Sequence, residues 1–203
     1  MWQAQVFTLY PDVFPGPLSK GLYGKAMSKN IWNLKVVNIR DAAEDKHKTV
    51  DDTPYGGGSG MLMKPDVLAK SLDQNKNEGE KILYLSPRGK KFDQNYAKEL
   101  SKEKSISIIC GHFEGVDERV LSTRNIEEVS IGDFILSGGE SAAFATGRLL
   151  TLSVMVYLGS KFFFDALLLQ WVSSSMLNMD VNISASYENL DVEGHTDEEN
   201  PYA

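Results

Sequence analysis

The stretch SIGDFILSGGE, residues 130–140, carries the pattern from which the fold can be read. It begins like a buried strand, with apolar side chains at Ile131 and in the run 134–136, and it ends in two glycines and a carboxylate. Strand interiors avoid glycine, because glycine costs backbone entropy and offers no side chain to pack. The glycines therefore indicate a place where chain or ligand comes close to the backbone.

Two earlier apolar runs end in the same way. KILYLS (81–86) is followed by PRG, and SISIIC (105–110) is followed by GHFEG. Together with EEVSIGDFIL (127–136), these runs read as strands, and helical patterns at 95–103 and 116–123 separate them. This alternation predicts an α/β domain with parallel strands. Ligands of such sheets bind beyond the carboxyl ends of the strands, so three glycine-marked ends favour a site there, although any one of them is also explained as a tight turn.

The rest of the chain also contains patterns typical of strands and helices. We predict strands at 3–9 and 32–39, helices at 18–30, 61–74 and 141–159, and a loop at 41–60 whose length suggests a function. The domains expected are a unit at 1–159 and, at 160–203, a linker with an atypical acidic segment whose composition favours a lack of fixed structure.

Composition narrows the class of protein. The net charge is −7, but seven of the 28 acidic residues and none of the 21 basic ones lie in 176–203, so the body is neutral and is able to carry a basic patch. The single cysteine excludes an internal disulfide and fits a reducing cytoplasm. The longest apolar run, 149–158, is about half of the roughly 20 residues that span a bilayer, so no membrane segment is expected, and the first residues do not suggest a signal peptide.

Reactive side chains give weaker signals. The sequence has neither G-x-G-x-x-G after a strand nor a phosphate-binding P-loop. The three histidines lack metal-ligand spacing, so we predict no metal site and expect His112, beside a loop, to lie on the surface. Asp51 and Asp52 form either a pair suited to base catalysis or a solvated, capping pair. Cys110 is expected to be a small buried apolar residue, not a nucleophile.

Four motifs, in this order and spacing, have a known counterpart: DKHKTVDDTPYGGGSGMLM (45–63), YLSPRGKKFDQ (84–94), CGHFEGVDERV (110–120) and SIGDFILSGGE (130–140). Together with the opening MWQAQVFTLYPDVF, they resemble the bacterial tRNA (guanine-N1)-methyltransferases, members of the SPOUT class with a deep trefoil knot. The likeness covers residues 1–140 nearly continuously. Periodicity alone fits an unknotted three-layer sheet equally well, so the knot is expected from the resemblance only.

The resemblance implies a homodimer in the cytoplasm that uses S-adenosyl-L-methionine to methylate N1 of the guanine 3′ of the tRNA anticodon. It also raises Mg²⁺ as an assisting ion, and it places Asp51 and Arg119 near the target base. The cofactor-binding residues that it implies fall in three loops: Tyr84, Leu85, Ser86 and Pro87; Gly111, Phe113 and Glu114; and Ile131, Gly132, Asp133, Phe134, Ile135, Leu136, Gly138 and Gly139.

The chain also departs from the family. Ser59 stands where proline is usual, and His112-Phe113 stands where an Arg-Tyr pair is common. After Glu140 the family's catalytic Arg and Asp cannot be aligned, and Arg148 and Asp165 are the nearby candidates for the group that stabilises charge on O6 and for the general base.

Three hypotheses remain open at this stage. The first is the methyltransferase. The alternative is a catalytically impaired cofactor-binding dimer that lacks a proper tRNA-binding C-terminal domain, because the last 28 residues offer no cation to phosphates. The third is an RNA-binding α/β module without chemistry, which leaves the three glycine-marked strand ends unexplained.

Overall fold

The computed structural model describes residues 1–75 and 80–159. Seven strands and five α-helices alternate along this part of the chain. In chain order they are β1 (Trp2–Thr8), α1 (Gly21–Ser28), β2 (Trp32–Asn38), β3 (Asp51–Asp52), β4 (Leu62–Met63), α2 (Pro65–Asn75), β5 (Lys81–Lys91), α3 (Gln94–Leu100), β6 (Ser105–Ile109), α4 (Glu118–Thr123), β7 (Glu127–Ser130) and α5 (Glu140–Gly159). Short 3₁₀ turns occupy Pro11–Val13, Gly16–Ser19 and Ile39–Ala42.

Five of the strands form one sheet in the order β2-β1-β6-β5-β7, and every neighbouring pair is parallel. The short strands β3 and β4 form a separate antiparallel pair. The predicted α/β domain with parallel pairing is therefore confirmed. Because all five strands run the same way, their carboxyl ends meet at one edge of the sheet.

Successive side chains of the central strands pack alternately into two hydrophobic cores, one on each face of the sheet. In β1, Val6 belongs to a cluster with α1, α3 and α5, whereas Phe7 belongs to a cluster with α2 and α4. In β6, Ile108 and Ile109 divide in the same manner, and all four side chains are almost completely buried. The period-2 geometry of a strand thus produces a sheet covered by helices on both faces. No helix in the described ranges has the length and apolar character needed to cross a bilayer.

The strand predicted at 127–136 is wrong in its second half. β7 ends at Ser130, and Phe134, Ile135 and Leu136 are 50%, 88% and 41% exposed. The run 134–136 lies outside the sheet, because the pairing of β7 with β5 ends at Ser130 and the chain bends at 131–134. Its apolar side chains line a cleft instead of a core.

The prediction that β5 stops before Pro87 is also wrong, because the strand continues to Lys91. Pairing with β6 ends at Tyr84, and pairing with β7 shifts register between Leu85 and Lys90, both of which oppose Val129. Proline has no backbone N–H to donate, and here it lies in the arch 86–89, where no ladder bond is required.

Three predicted helices begin later than expected, and the first, predicted at 18–30, begins at Gly21 after a short 3₁₀ turn. Residues 62–63 pair with β3, and the helix starts at Pro65, a residue whose fixed φ suits the first helical position. Val116 forms a parallel bridge to Met63, and the Asp117 side chain then caps α4 by accepting the backbone N–H of Arg119. The helix predicted at 141–159 is confirmed as α5, and residues 160–203 lie outside the described part.

Candidate functional site

A cleft of about 440 Å³ opens at the carboxyl edge of the sheet, among the segments that follow β5, β6 and β7. All the cofactor-binding residues proposed from the sequence line it, except Asp133. The lining residues that the sequence reasoning missed are Arg88, His112, Gly115, Val129, Ser130, Ser137 and Ala142. Most of these residues are next to a predicted one in the sequence. Their closeness to the glycines is the feature that could have identified them. The structure thus brings together three segments that are far apart in sequence.

Gly139 shows how closely two of these segments approach. A Cβ atom at Gly139 would lie 2.5 Å from the Cα of Cys110 and 2.8 Å from the backbone nitrogen of Gly111. The Gly139 N–H donates to the Gly111 carbonyl oxygen at 3.0 Å. Both neighbours are backbone atoms, which have little room to move, so only glycine fits at this position.

Tyr84 ties the first segment to the second. A Cβ at Gly111 would lie 2.6 Å from Cε2 of the Tyr84 ring, which is buried under it. Burial, reinforced by the negative charge of Glu128, raises the pKa of the Tyr84 phenol above its usual value. The phenol therefore stays neutral at physiological pH and acts as a wall of the cleft.

The second segment carries a backbone conformation that is rare outside glycine. Phe113 has φ +58° and its side chain is 48% exposed, and two residues later Gly115 has φ +118°. Non-glycine residues in the left-handed region are uncommon, and such conformations gather at ligand sites. The turn holds Phe113 and Glu114 at the wall of the cleft.

A polar network supports the same segment from behind. The Nε2 atom of His112 lies 2.9 Å from both carboxylate oxygens of Glu140, and the Thr8 hydroxyl donates to Glu140 Oε1 at 2.6 Å. The His112 and Glu140 side chains are only 12% and 14% exposed. The expectation that His112 lies on the surface is therefore wrong: a charged partner on α5 compensates its burial.

Asp51 and Arg119 do not line the cleft, but their segments are attached to its second wall. The Glu114 N–H donates to the Met61 carbonyl at 2.9 Å, and the Met63 N–H donates to the Gly115 carbonyl at 3.0 Å. Asp51 pairs with Met63 across β3 and β4. The hairpin that carries Asp51 is thus bonded to the loop that carries Glu114.

The side chain of Arg119, on α4, is two-thirds exposed. Its guanidinium lies 5.7 Å from the ring of Tyr55, which belongs to the hairpin 51–63 that carries Asp51. Its guanidinium also pairs with Asp117 at 2.6 Å. That hydrogen-bonded pair lowers the pKa of the Asp117 carboxyl to about 2. Arg119 is therefore held by a permanently charged partner while it still faces solvent.

The remaining candidates lie elsewhere. Arg148 projects from α5 over the ring of Tyr23 at 4.9 Å and does not line the cleft. Asp165 lies outside the described residues. Cys110 is buried, as expected, and burial with the nearby Glu140 charge raises the pKa of its thiol well above the usual value, which makes it a poor nucleophile.

A cofactor and a metal fit these residues differently. The glycines at 111, 138 and 139, called the cradle below, line the cleft with backbone, and the segments pack so closely that a Cβ at each position would clash with neighbouring protein atoms. Backbone at the wall of the cleft suits a ligand bound against it. Across residues 1–75 and 80–159, His, Cys, Asp and Glu side chains do not gather into a group of three that could hold a metal ion. The described residues therefore assign no ligands to Mg²⁺.

Fold and site together define an α/β protein with a cleft at the carboxyl edge of a parallel sheet. Residues 2–155 match the family model described as tRNA (Guanine-1)-methyltransferase TrmD, and the chain belongs to that family.

The chain is similar to curated proteins named tRNA (guanine-N(1)-)-methyltransferase. It is 81% identical to that of Pelagibacter ubique over 144 residues, which cover 71% of this chain and 63% of the relative. The proteins of Bartonella tribocorum and Ehrlichia canis are 56% and 51% identical, over 70% and 68% of this chain and 61% and 59% of their own lengths. The chain therefore spans less than two thirds of these relatives.

Proposed function

We propose that this chain binds S-adenosyl-L-methionine in the cleft and methylates N1 of the guanine 3′ of the tRNA anticodon. Family membership and the names of the relatives support the reaction. The observation that carries the proposal is the cleft itself, which is crowded with glycine and lies where an α/β sheet binds its ligands. The segments 84–87, 111–114 and 131–139 are proposed as its three cofactor loops.

In this proposal backbone groups do most of the binding. When bound, the cofactor supplies an electrophilic methyl group. The glycine-crowded loops leave backbone N–H and C=O groups accessible to an adenine edge, and Tyr84 to Pro87 form the wall for the adenine or the ribose. The apolar side chains from Phe134 to Leu136 exclude water from the other side.

The tRNA side of the reaction needs a base, because N1 of guanine carries a proton at neutral pH, and a cation near O6. Asp165 and Arg148 are proposed for these roles, and Asp51 and Arg119 for contacts to the target base. Arg148 lies away from the cleft of its own chain, which agrees with a homodimer in which each site is completed by both chains.

The finer architecture belongs to the same proposal. We expect residues 1–159 to form the cofactor-binding unit, 160–203 to form a separate segment, and the chain near Gly139 to pass through a trefoil knot. Backbone contact between Gly139 and Gly111 supports such a tight passage. A cytoplasmic location follows from the tRNA substrate.

Calorimetry with S-adenosylhomocysteine and a transfer assay on unmodified tRNA test the proposal. We expect saturable binding at micromolar to millimolar ligand and methyl transfer that is lost in Arg148→Ala and Asp165→Asn. Absence of binding at millimolar ligand would refute the cofactor assignment. Binding without transfer would instead identify the chain as an impaired cofactor-binding dimer, and salt-sensitive RNA binding that ignores the cofactor would indicate an RNA-binding module.

A further inference from the structure

The network of Thr8, His112 and Glu140 joins three parts of the chain behind the cleft. Thr8 ends β1, His112 follows β6, and Glu140 opens α5. The Thr8 hydroxyl donates to Glu140 and accepts the Tyr10 N–H at 2.9 Å, while His112 Nε2 reaches both Glu140 oxygens. The network therefore connects the end of β1, the loop after β6 and the first residue of α5.

The position of the network indicates its role. His112 belongs to the cleft wall, next to the strained turn at Phe113. A carboxylate only accepts hydrogen bonds, so Nε2 of His112 must carry its proton. The carboxylate at the first residue of a 20-residue helix is also favoured by the helix dipole, which fixes Glu140 as the anchor.

We propose that Glu140 is a positioning residue, which through His112 holds the loop 111–115 in its ligand-accepting shape. This inference rests on the proposed function, because the loop is one wall of the proposed cofactor cleft. Without the carboxylate of Glu140, Nε2 of His112 loses the charged acceptor that holds it in place. Less of the protein then has the competent loop, and the apparent affinity falls in proportion.

Few other charges act on the imidazole. Tyr10, at the end of β1, meets it edge-on at 5.0 Å, and Gly138, from the loop after β7, is uncharged. On its own loop His112 is flanked by Cys110, whose buried thiol is neutral, and by Glu114 at the cleft wall. Glu140 is therefore the charged group in direct contact with the ring.

The test is the affinity for S-adenosylhomocysteine of Glu140→Gln and of the conservative variant Glu140→Asp, measured by calorimetry. Glu140→Gln should lose about three- to tenfold in affinity, because a hydrogen bond to a carboxylate is about twice as strong as one to a neutral acceptor. Glu140→Asp keeps the carboxylate and should recover part of that loss. His47→Arg, at an exposed histidine away from the cleft, should bind as tightly as the wild type.

A readout without ligand separates this inference from the proposed function. Hydrogen exchange at pH 7 should show faster exchange of the Glu114 and Gly115 amides in Glu140→Gln and in Thr8→Val than in the wild type. If the wild type binds no ligand, the proposed function fails, and the exchange rates alone decide whether the network holds the loop. Unchanged exchange rates in both variants, or wild-type affinity in Glu140→Gln, would overturn the inference.

Discussion

Two glycine-rich regions of this protein use glycine for opposite reasons. At the cleft, a Cβ on Gly139 would collide with the backbone of Cys110 and Gly111, although the φ angle of Gly139 is one that other residues adopt. In the hairpin, Gly57 has φ +85° and no atom within 4 Å of the position of a Cβ. The first region requires glycine because there is no room for a Cβ atom, and the second requires it because the backbone is left-handed. The same residue type therefore predicts a ligand cradle in one place and a turn in the other.

The largest expected effect breaks the cradle. Gly139→Ala adds one methyl group against backbone atoms that cannot rotate away, and overpacking of this kind costs about 1–3 kcal/mol. The clash is relieved only by moving the segments at Gly111 and Gly139, which line the cleft, so we expect affinity for S-adenosylhomocysteine to fall by about a hundredfold, measured by calorimetry. Circular dichroism and thermal melting check that the variant is folded, and a folded variant of unchanged affinity would contradict the cradle.

Gly111→Ala should have an intermediate effect, because the new methyl group meets the Tyr84 ring instead of backbone. A side chain can shift, so we expect about a tenfold loss of affinity. Combining it with Tyr84→Ala makes a double-mutant cycle, in which removal of the ring should offset part of the loss. Strict additivity of the two changes would show that they do not meet.

Gly57→Ala is the matched change in the hairpin. The left-handed conformation costs an L-residue about 1–2 kcal/mol, and the surrounding space is open. We expect a melting temperature a few degrees lower and ligand affinity within about twofold of the wild type. A loss of affinity as large as that of Gly139→Ala would remove the distinction between the two regions.

The smallest effect concerns the charge pair beside the hairpin. Because Arg119 lowers the pKa of Asp117 to about 2, the pair adds stability at every pH above the ordinary aspartate range near 4. That stability is lost as pH falls from about 4 through about 2. The difference in unfolding free energy between wild type and Asp117→Asn should be constant from pH 7 to 5 and shrink below pH 4. Urea titrations at several pH values measure it, and a difference independent of pH would contradict the assignment.

The sequence allowed the sheet and three walls of the cleft to be predicted, because apolar runs and glycines are local signals. It did not reveal the network of His112, since the partners Thr8 and Glu140 are 132 residues apart and only the fold joins them. The end of β5 was predicted wrongly at Pro87 for a related reason. Proline ends a strand whose backbone must donate hydrogen bonds to a neighbour, but the sequence does not show that residues 86–89 have no paired neighbour. Exposure of the run 134–136 likewise depends on where the sheet stops.

The arch in β5 has a consequence for how this protein tolerates change. The strand leaves its partner at Leu85 and rejoins it at Lys90, and both residues oppose Val129. Residues 86–89 are therefore an insertion whose two ends are fixed by pairing with β7. The insertion does not change the register of the pairs on either side of it. Ser86, Pro87 and Arg88 can therefore shape one wall of the cleft without shifting a pair in the sheet that supports it, whereas Gly89 is fixed, because a Cβ there would lie 2.3 Å from the backbone of Glu128 and Val129.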